Sequence, residues 1–276
     1  MKPSISLILP ALDEEHNLEA TVKMVLAAAS GRCSDLELLI IDDGSQDQTG
    51  AIADRLASSH PGIQVVHNGQ NKGVGYSFRT GVSLATKDFV GWLPADTNLI
   101  LVAEELERTF DAVGRADFML MYLSSDLRSF PRRLISQGFV GAMNLLFGLQ
   151  LKYFNGGNFY RRHLIQSARM DQDGYVLFSG ILIRLIRAGH SYVEVGVVNR
   201  GTESKSLRVK VFRQVLVGMA SLFWEVRFRT SAMTQPEGAL PYNIMSGRQS
   251  IAEDKMADLA ERGHVEVMSP VLTSVR

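Results

Sequence analysis

The first hundred residues of this 276-residue chain predict a doubly wound α/β domain built on a mostly parallel sheet. Two observations carry that expectation. Short apolar runs alternate with stretches whose apolar residues recur at helical spacing, and acidic or glycine-containing clusters follow directly after three of those runs.

Ile5 to Leu9 is an apolar run ending at Pro10 and reads as a buried parallel strand. Glu14 to Ala29 places Leu18, Val22, Val25 and Leu26 on one helical face. Leu36 to Ile41 is a second strand, followed by Asp42-Asp43-Gly44-Ser45 and a helix from Thr49 to Ser58. Ile63 to His67 is a third strand, Gly73 to Ala85 a helix through Val74, Phe78 and Val82, and Phe89 to Leu93 a fourth strand. Such βαβ units bind ligands beyond the carboxyl ends of their strands. After Pro94 the alternation loosens: a strand at Phe118 to Tyr122, a helix with a basic start at Pro131 to Phe147, a helix from Val176 to Ala188 stopped by Gly189, and a strand at Tyr192 to Val198. Leu207 to Arg229 mixes apolar residues with five basic ones, and Ile251 to Glu261 is a short helix in an otherwise plain tail.

Composition narrows the function. Lys plus Arg equals Asp plus Glu at 29 each, which argues against a nucleic-acid partner held by phosphate neutralisation. The single cysteine, Cys33, excludes an internal disulfide framework and a cysteine-rich zinc site. Neither a basic n-region with an apolar h-region nor an apolar run long enough to span a bilayer is present. The expectation is a cytoplasmic protein, peripheral at most on the cytoplasmic membrane face.

The clusters that end the first, second and fourth strands are Pro10-Ala11-Leu12-Asp13-Glu14-Glu15, Asp42 to Thr49, and Leu93-Pro94-Ala95-Asp96-Thr97-Asn98. Asp13, Ser45 and Asp47 are also good helix caps. Three acidic clusters on one crevice nevertheless repel unless a hydrogen-bond donor or a cation fills it. A nucleotide-sugar supplies both: hydroxyl and base N–H groups for carboxylates, and a diphosphate that needs a divalent cation, Mg2+ or Mn2+. Neither a P-loop nor Gly-x-Gly-x-x-Gly after the first strand is found, which disfavours kinases and dinucleotide oxidoreductases. Asn71-Lys72-Gly73 opens the next helix with a glycine turn, and Lys72 and Arg79 could meet an anion there.

These blocks, in this order and spacing, resemble glycosyltransferase family 2 with its GT-A type fold, within it the dolichol-phosphate mannose synthase and polyprenyl-phosphate glycosyltransferase branch. The matching stretches are Leu7 to Glu15, Ile40 to Ser45 with Asp47 and Thr49, Asn71-Lys72-Gly73, Arg79-Thr80-Gly81 and Ala95-Asp96. The resemblance implies that Pro10, Leu12, Asp13 and Glu14 line the nucleotide pocket and that Asp42 contacts base or ribose. It implies that Asp43, Gly44 and Ser45 shape the ribose side and that Asp96, beside Ala95, holds the metal. It also implies that Asn155-Gly156-Gly157 forms an acceptor or donor-sugar loop, and that Arg200 and Lys205, with Ser204 between them, close over the diphosphate.

The chain departs from that pattern twice. The family's metal motif is Asp-x-Asp, but Pro94 occupies the first acidic position, leaving Asp96 with Asn98 as a neutral oxygen ligand. The later helix reads Tyr175-Val176-Leu177-Phe178-Ser179-Gly180 without an acid to activate a hydroxyl, although Asp171 and Asp173 precede it. A lipid phosphate, ionised at neutral pH, needs no such base. Leu207 to Arg229, with Trp224, fits a membrane-interface helix or an amphipathic helix packed on the domain or on a dimer partner.

The expected organisation is a GT-A domain over residues 1–205, an amphipathic helix over 206–234 and a tail of unassigned role over 235–276. The expected activity is inverting transfer from a nucleotide-sugar to a polyprenyl phosphate. Transfer to a saccharide or protein hydroxyl, and an inactive nucleotide-sugar-binding protein, are the alternatives.

Overall fold

The computed structural model describes residues 1–170, 175–200, 218–224 and 265–268. The strands are β1 (Ser4–Ala11), β2 (Asp35–Asp42), β3 (Ile63–His67), β4 (Phe89–Trp92), β5 (Phe118–Asp126), β6 (Phe159–Arg161), β7 (Tyr192–Asn199) and β8 (Val265–Met268). The helices are α1 (Leu18–Ala29), α2 (Thr49–Ser59), α3 (Val74–Leu84), α4 (Thr97–Ile100), α5 (Ala103–Ala112), α6 (Phe130–Phe147), α7 (Arg162–Ser167) and α8 (Tyr175–Arg187). They build one sheet in the order β3-β2-β1-β4-β6-β5-β7-β8. β3, β2, β1 and β4 run parallel, β6 is antiparallel to both its neighbours, β5 and β7 are parallel, and β8 closes the edge antiparallel to β7.

Alternation along β1 divides the core. Ile5, Leu7 and Leu9 join Leu38 and Ile40 of β2 under Val22 and Val25 of α1 and Leu106 and Phe110 of α5. Ile8 points the other way, with Leu39 and Ile41, towards Phe78 and Val82 of α3 and Phe178 and Ile181 of α8. Helices therefore cover both faces, which is why Leu7 to Leu9 and Leu38 to Ile41 are apolar in succession rather than on alternate residues. Trp92 stacks on Phe178 at 4.4 Å between ring centroids, locking α8 to β4.

Up to Asn199, the expected strands and helices form at their predicted places, shifted by a few residues at the ends. The first helix starts at Leu18, because residues 12–17 are occupied in a loop that bonds to its neighbour. The antiparallel β6, the helices α5 and α7, and β8 have no counterpart in the sequence reading. Among the described residues, no helix is long and apolar enough to cross a membrane. The expected Ile251 to Glu261 helix lies outside the described residues, as does most of the expected Leu207 to Arg229 segment.

Candidate active site at the carboxyl edge of the sheet

Parallel register brings the first two clusters side by side. Ala11 pairs with Asp42, and the Asp43 amide donates to the Ala11 carbonyl at 2.8 Å. The two loops then stitch together through their own carboxylates and hydroxyls. The Asp13 amide donates to Ser45 Oγ at 3.0 Å, and the Gln46 amide returns to Asp13 Oδ1 at 2.8 Å. Glu14 and Glu15 amides donate to Thr49 Oγ1 and Asp47 Oδ2, while the Gln48 amide donates to Glu15 Oε2. Asp13 holds a left-handed backbone, φ 55°, a conformation that aspartate tolerates better than most residues.

Asp43 is buried and fully engaged. Its Oδ1 accepts from Asn68 Nδ2 at 2.8 Å and from the Lys72 amide at 3.0 Å, and its Oδ2 accepts from the Gly73 amide at 2.7 Å. The anion at the amino end of α3 is thus the protein's own carboxylate. Lys72 lies at the surface, 4.3 Å above the Tyr76 ring, and Arg79 donates to the Met170 carbonyl. Asp42 accepts from the Ser45 amide at 3.0 Å and meets His67 Nδ1 at 2.8 Å, while His67 Nε2 meets Asp54 Oδ1 at 3.0 Å. Burial raises the Asp42 pKa, but hydrogen bonds from Ser45 and His67 outweigh it and leave the group below its ordinary value. Asp42 and Asp54 in turn raise the His67 pKa. His67 was not anticipated as a site residue; only the β2–β3 register, which pairs Asp42 with His67, puts it there.

Glu14 and Asp96 are in the opposite condition. The Leu93 amide donates to the Ile8 carbonyl and the Ala95 amide to Pro10, tying the loop after β4 to the end of β1. Burial raises the pKa of Asp96, and no cation among the described residues pairs with it. Burial also raises Glu14, offset in part by a bond from Asn17 and reinforced by the negative charges of Asp96, Asp47 and Asp13. A partly desolvated carboxylate facing others suits a divalent cation with a diphosphate. No group of three or more metal-binding side chains exists among the described residues, so a bound cation would draw most of its coordination from ligand and water. Pro94 instead closes a turn, its carbonyl accepting from the Thr97 amide at 3.1 Å. The Asn98 side chain lies outside the described part of the molecule.

The loop Asn155-Gly156-Gly157 crosses the ends of β4 and β5. A Cβ on Gly156 would sit 2.2 Å from the Met121 carbonyl oxygen, and one on Gly157 would sit 2.6 Å from Leu93 and 2.9 Å from the Trp92 carbonyl oxygen. Ser179 of α8 donates to Asn155 Oδ1 at 3.3 Å. A cavity of about 120 Å³ opens beside this loop, between Pro94, Tyr153 and Asn199. Arg200, at the end of β7, pairs with the buried Glu105 at 2.7 Å, and Glu105 also accepts from the Val102 and Val198 amides. Ser204, Lys205, Asp171 and Asp173 lie outside the described residues.

Residues 6–121 match the model of glycosyl transferase family 2. The polyprenol monophosphomannose synthase of Mycolicibacterium smegmatis is 30% identical over 202 residues, covering 69% of this chain and 75% of that protein. A glycosyltransferase of Bacillus subtilis is 26% identical over 65% of this chain and 54% of its own length. Among solved structures, glucosyl-3-phosphoglycerate synthase from Mycobacterium tuberculosis, crystallised with Mn2+, uridine diphosphate and phosphoglyceric acid, superimposes with a TM-score of 0.61. It is 20% identical and the match covers 80% of this chain and 78% of that one, which supports the GT-A type fold. With strand-end acids, fold and relatives in agreement, the chain belongs to glycosyl transferase family 2 and is a glycosyltransferase.

Proposed function

We propose that this enzyme transfers a sugar from a nucleoside-diphosphate sugar to a polyprenyl phosphate with inversion. The observation that supports the donor half is the pair of loops after β1 and β4, where Asp96 is desolvated with no cation of the described residues beside it and Glu14, bonded only to Asn17, lies in reach of its negative charge. Asp42, fixed by Ser45 and His67, would accept from the nucleoside. Asp96 would hold a divalent cation, which stabilises the charge that develops on the departing diphosphate. Arg200, and Lys205 beyond the described residues, would approach the same diphosphate.

The acceptor half is supported by the chemistry of α8 and by the lipid-linked product named in the mycolicibacterial relative. α8 (Tyr175–Arg187) carries no aspartate or glutamate to remove a hydroxyl proton. A phosphate monoester, with a second pKa near ~6, attacks without one. The test is sugar transfer from a panel of nucleotide-sugars to polyprenyl phosphate, with and without Mg2+ or Mn2+. Transfer should require the cation and fall by at least ~100-fold in Asp96→Ala, the order of a lost charge stabiliser. Full activity in that variant overturns the metal role, and transfer to a free saccharide hydroxyl but never to the lipid phosphate overturns the acceptor.

A further inference from the structure

Glu105 is a buried carboxylate that belongs to neither the strand-end clusters nor the glycine loop, and its bonds do more than close a helix. Its Oε2 accepts from the Val102 amide at 3.1 Å and its Oε1 from the Val198 amide at 2.9 Å, joining the start of α5 to the end of β7. Those two bonds give each oxygen a donor but leave a negative charge out of water, which needs a cation. Arg200, 95 residues away, supplies it, its Nη1 donating to Oε2 at 2.7 Å. Capping α5 asks only for an oxygen at Val102, which a glutamine also provides. The charge of Glu105 is directed at Arg200. The guanidinium is held on one side only. Both of its bonds use Nη1, the second reaching the Val198 carbonyl at 3.3 Å. The Nε–Nη2 edge, a fork that can grip a phosphate with two parallel bonds, has no partner among the described residues. The Arg200 side chain is 38% exposed and that of Glu105 4%, so the anchor is buried and the fork is open.

The backbone sets where that fork lies. The Arg200 amide donates to the Ile100 carbonyl at 3.4 Å, and Ile100 ends α4, the four-residue helix capped by Asp96. Such a helix is roughly 6 Å long at ~1.5 Å per residue. Thr97, next to Asp96, and Asn199, next to Arg200, both line the cavity of about 120 Å³ beside the glycine loop. We infer that Glu105 is a positioning residue for sugar transfer: it anchors Arg200 by Nη1 so that the Nε–Nη2 edge meets the diphosphate of the donor. An untethered arginine would have to be ordered by the ligand itself, and that ordering costs affinity. The inference rests on the reading of Arg200 as a ligand of the diphosphate, and the two fail separately in the test below.

The test is calorimetry on the full chain with Mn2+, comparing uridine and guanosine diphosphates with their monophosphates. The wild type should prefer one diphosphate over its monophosphate. Glu105→Gln should cut that preference roughly tenfold, the size of one charge-assisted hydrogen bond, whereas a general loosening of the fold would weaken both nucleotides alike. Arg200→Ala should cut the preference at least as far, and adding Glu105→Gln to it should change nothing more. A preference kept by Glu105→Gln, or a loss that adds in full to that of Arg200→Ala, overturns the inference and leaves Arg200 on the diphosphate. A preference kept by Arg200→Ala takes Arg200 off the diphosphate and removes the inference with it. Binding of neither diphosphate by the wild type, or binding without that preference, does the same. Where Glu105→Gln does not fold, Arg200→Lys decides, because lysine keeps a charge within reach of Glu105 but has no second nitrogen edge. It should lose the preference as Arg200→Ala does, and a preference kept in full overturns the inference.

Discussion

Asp43 accepts three hydrogen bonds and stays buried, whereas Asp96 is desolvated with no cation of the described residues beside it. Both are acids at strand ends; the family resemblance implied a ribose-side role for Asp43 and a metal role for Asp96, without showing that Asp43 is held by the protein's own donors. Their different roles follow from who donates to them. Because the Asp96 pKa is raised, its stability contribution is greatest at low pH and is lost as pH rises through the folded value. Asp96→Asn should therefore raise the thermal midpoint at neutral pH while abolishing cation-dependent transfer; a lower midpoint would contradict the assigned desolvation. His67 titrates in the same direction: raised from 6.5 by Asp42 and then Asp54, it stabilises below its ordinary value and stops doing so above the folded one. Asp42, lowered from 3.8, contributes above its ordinary value and loses that contribution as pH falls through the folded one. His67→Gln should raise the donor KM by roughly tenfold, about 1.5 kcal/mol for one lost charged hydrogen bond. It should also flatten the rise of donor KM with alkaline pH and leave kcat near the wild-type value. An unchanged pH profile would show that His67 does not position Asp42.

At the level of elements, close approach decides more than propensity. Gly44 has φ 81°, and a Cβ there would meet the Gln70 and Asn71 backbone at 2.6 to 2.8 Å. Backbone cannot swing aside as a side chain can, so Gly44→Ala should cost roughly 1–3 kcal/mol and weaken donor binding with it. The Glu105 carboxylate joins three elements: the start of α5 through Val102, the end of β7 through Val198, and Arg200 beyond it. Glu105→Ala strands two amide donors and should destabilise by about 2 kcal/mol or more, measured by denaturant titration. Arg200 was expected to approach the diphosphate, whereas its tether to Glu105 was not legible. Glu105 sits in a helix, α5, that the sequence reading passed over, because Ala103–Ala112 carries few apolar residues beyond Leu106 and Phe110. β6 escaped for a similar reason: three residues after a double glycine give no measurable period.

Across the whole molecule, inserting antiparallel β6 between β4 and β5 carries Asn155-Gly156-Gly157 to the edge where β1, β2 and β4 end. The strand-end acids and this glycine loop thereby share one rim. A matching nucleoside diphosphate with Mg2+ should stabilise the folded chain by about 2.7 kcal/mol at a hundredfold excess over its Kd, seen as a thermal shift. Asp42→Ala should lose most of that shift, and an undiminished shift would move the nucleoside elsewhere. The parallel half of the sheet, its buried strands and the acids at their ends were fixed by local sequence. Apolar runs and helical spacing are properties of neighbouring residues, and a strand buried on both faces must be apolar throughout. Tertiary structure alone decided which of those acids bond to the protein itself and which stay without a cation of the described residues, since that depends on register between strands distant in sequence. It also decided that Met219 and Leu222 are buried while Trp224 stays exposed, because only packing determines which side of a helix the core consumes.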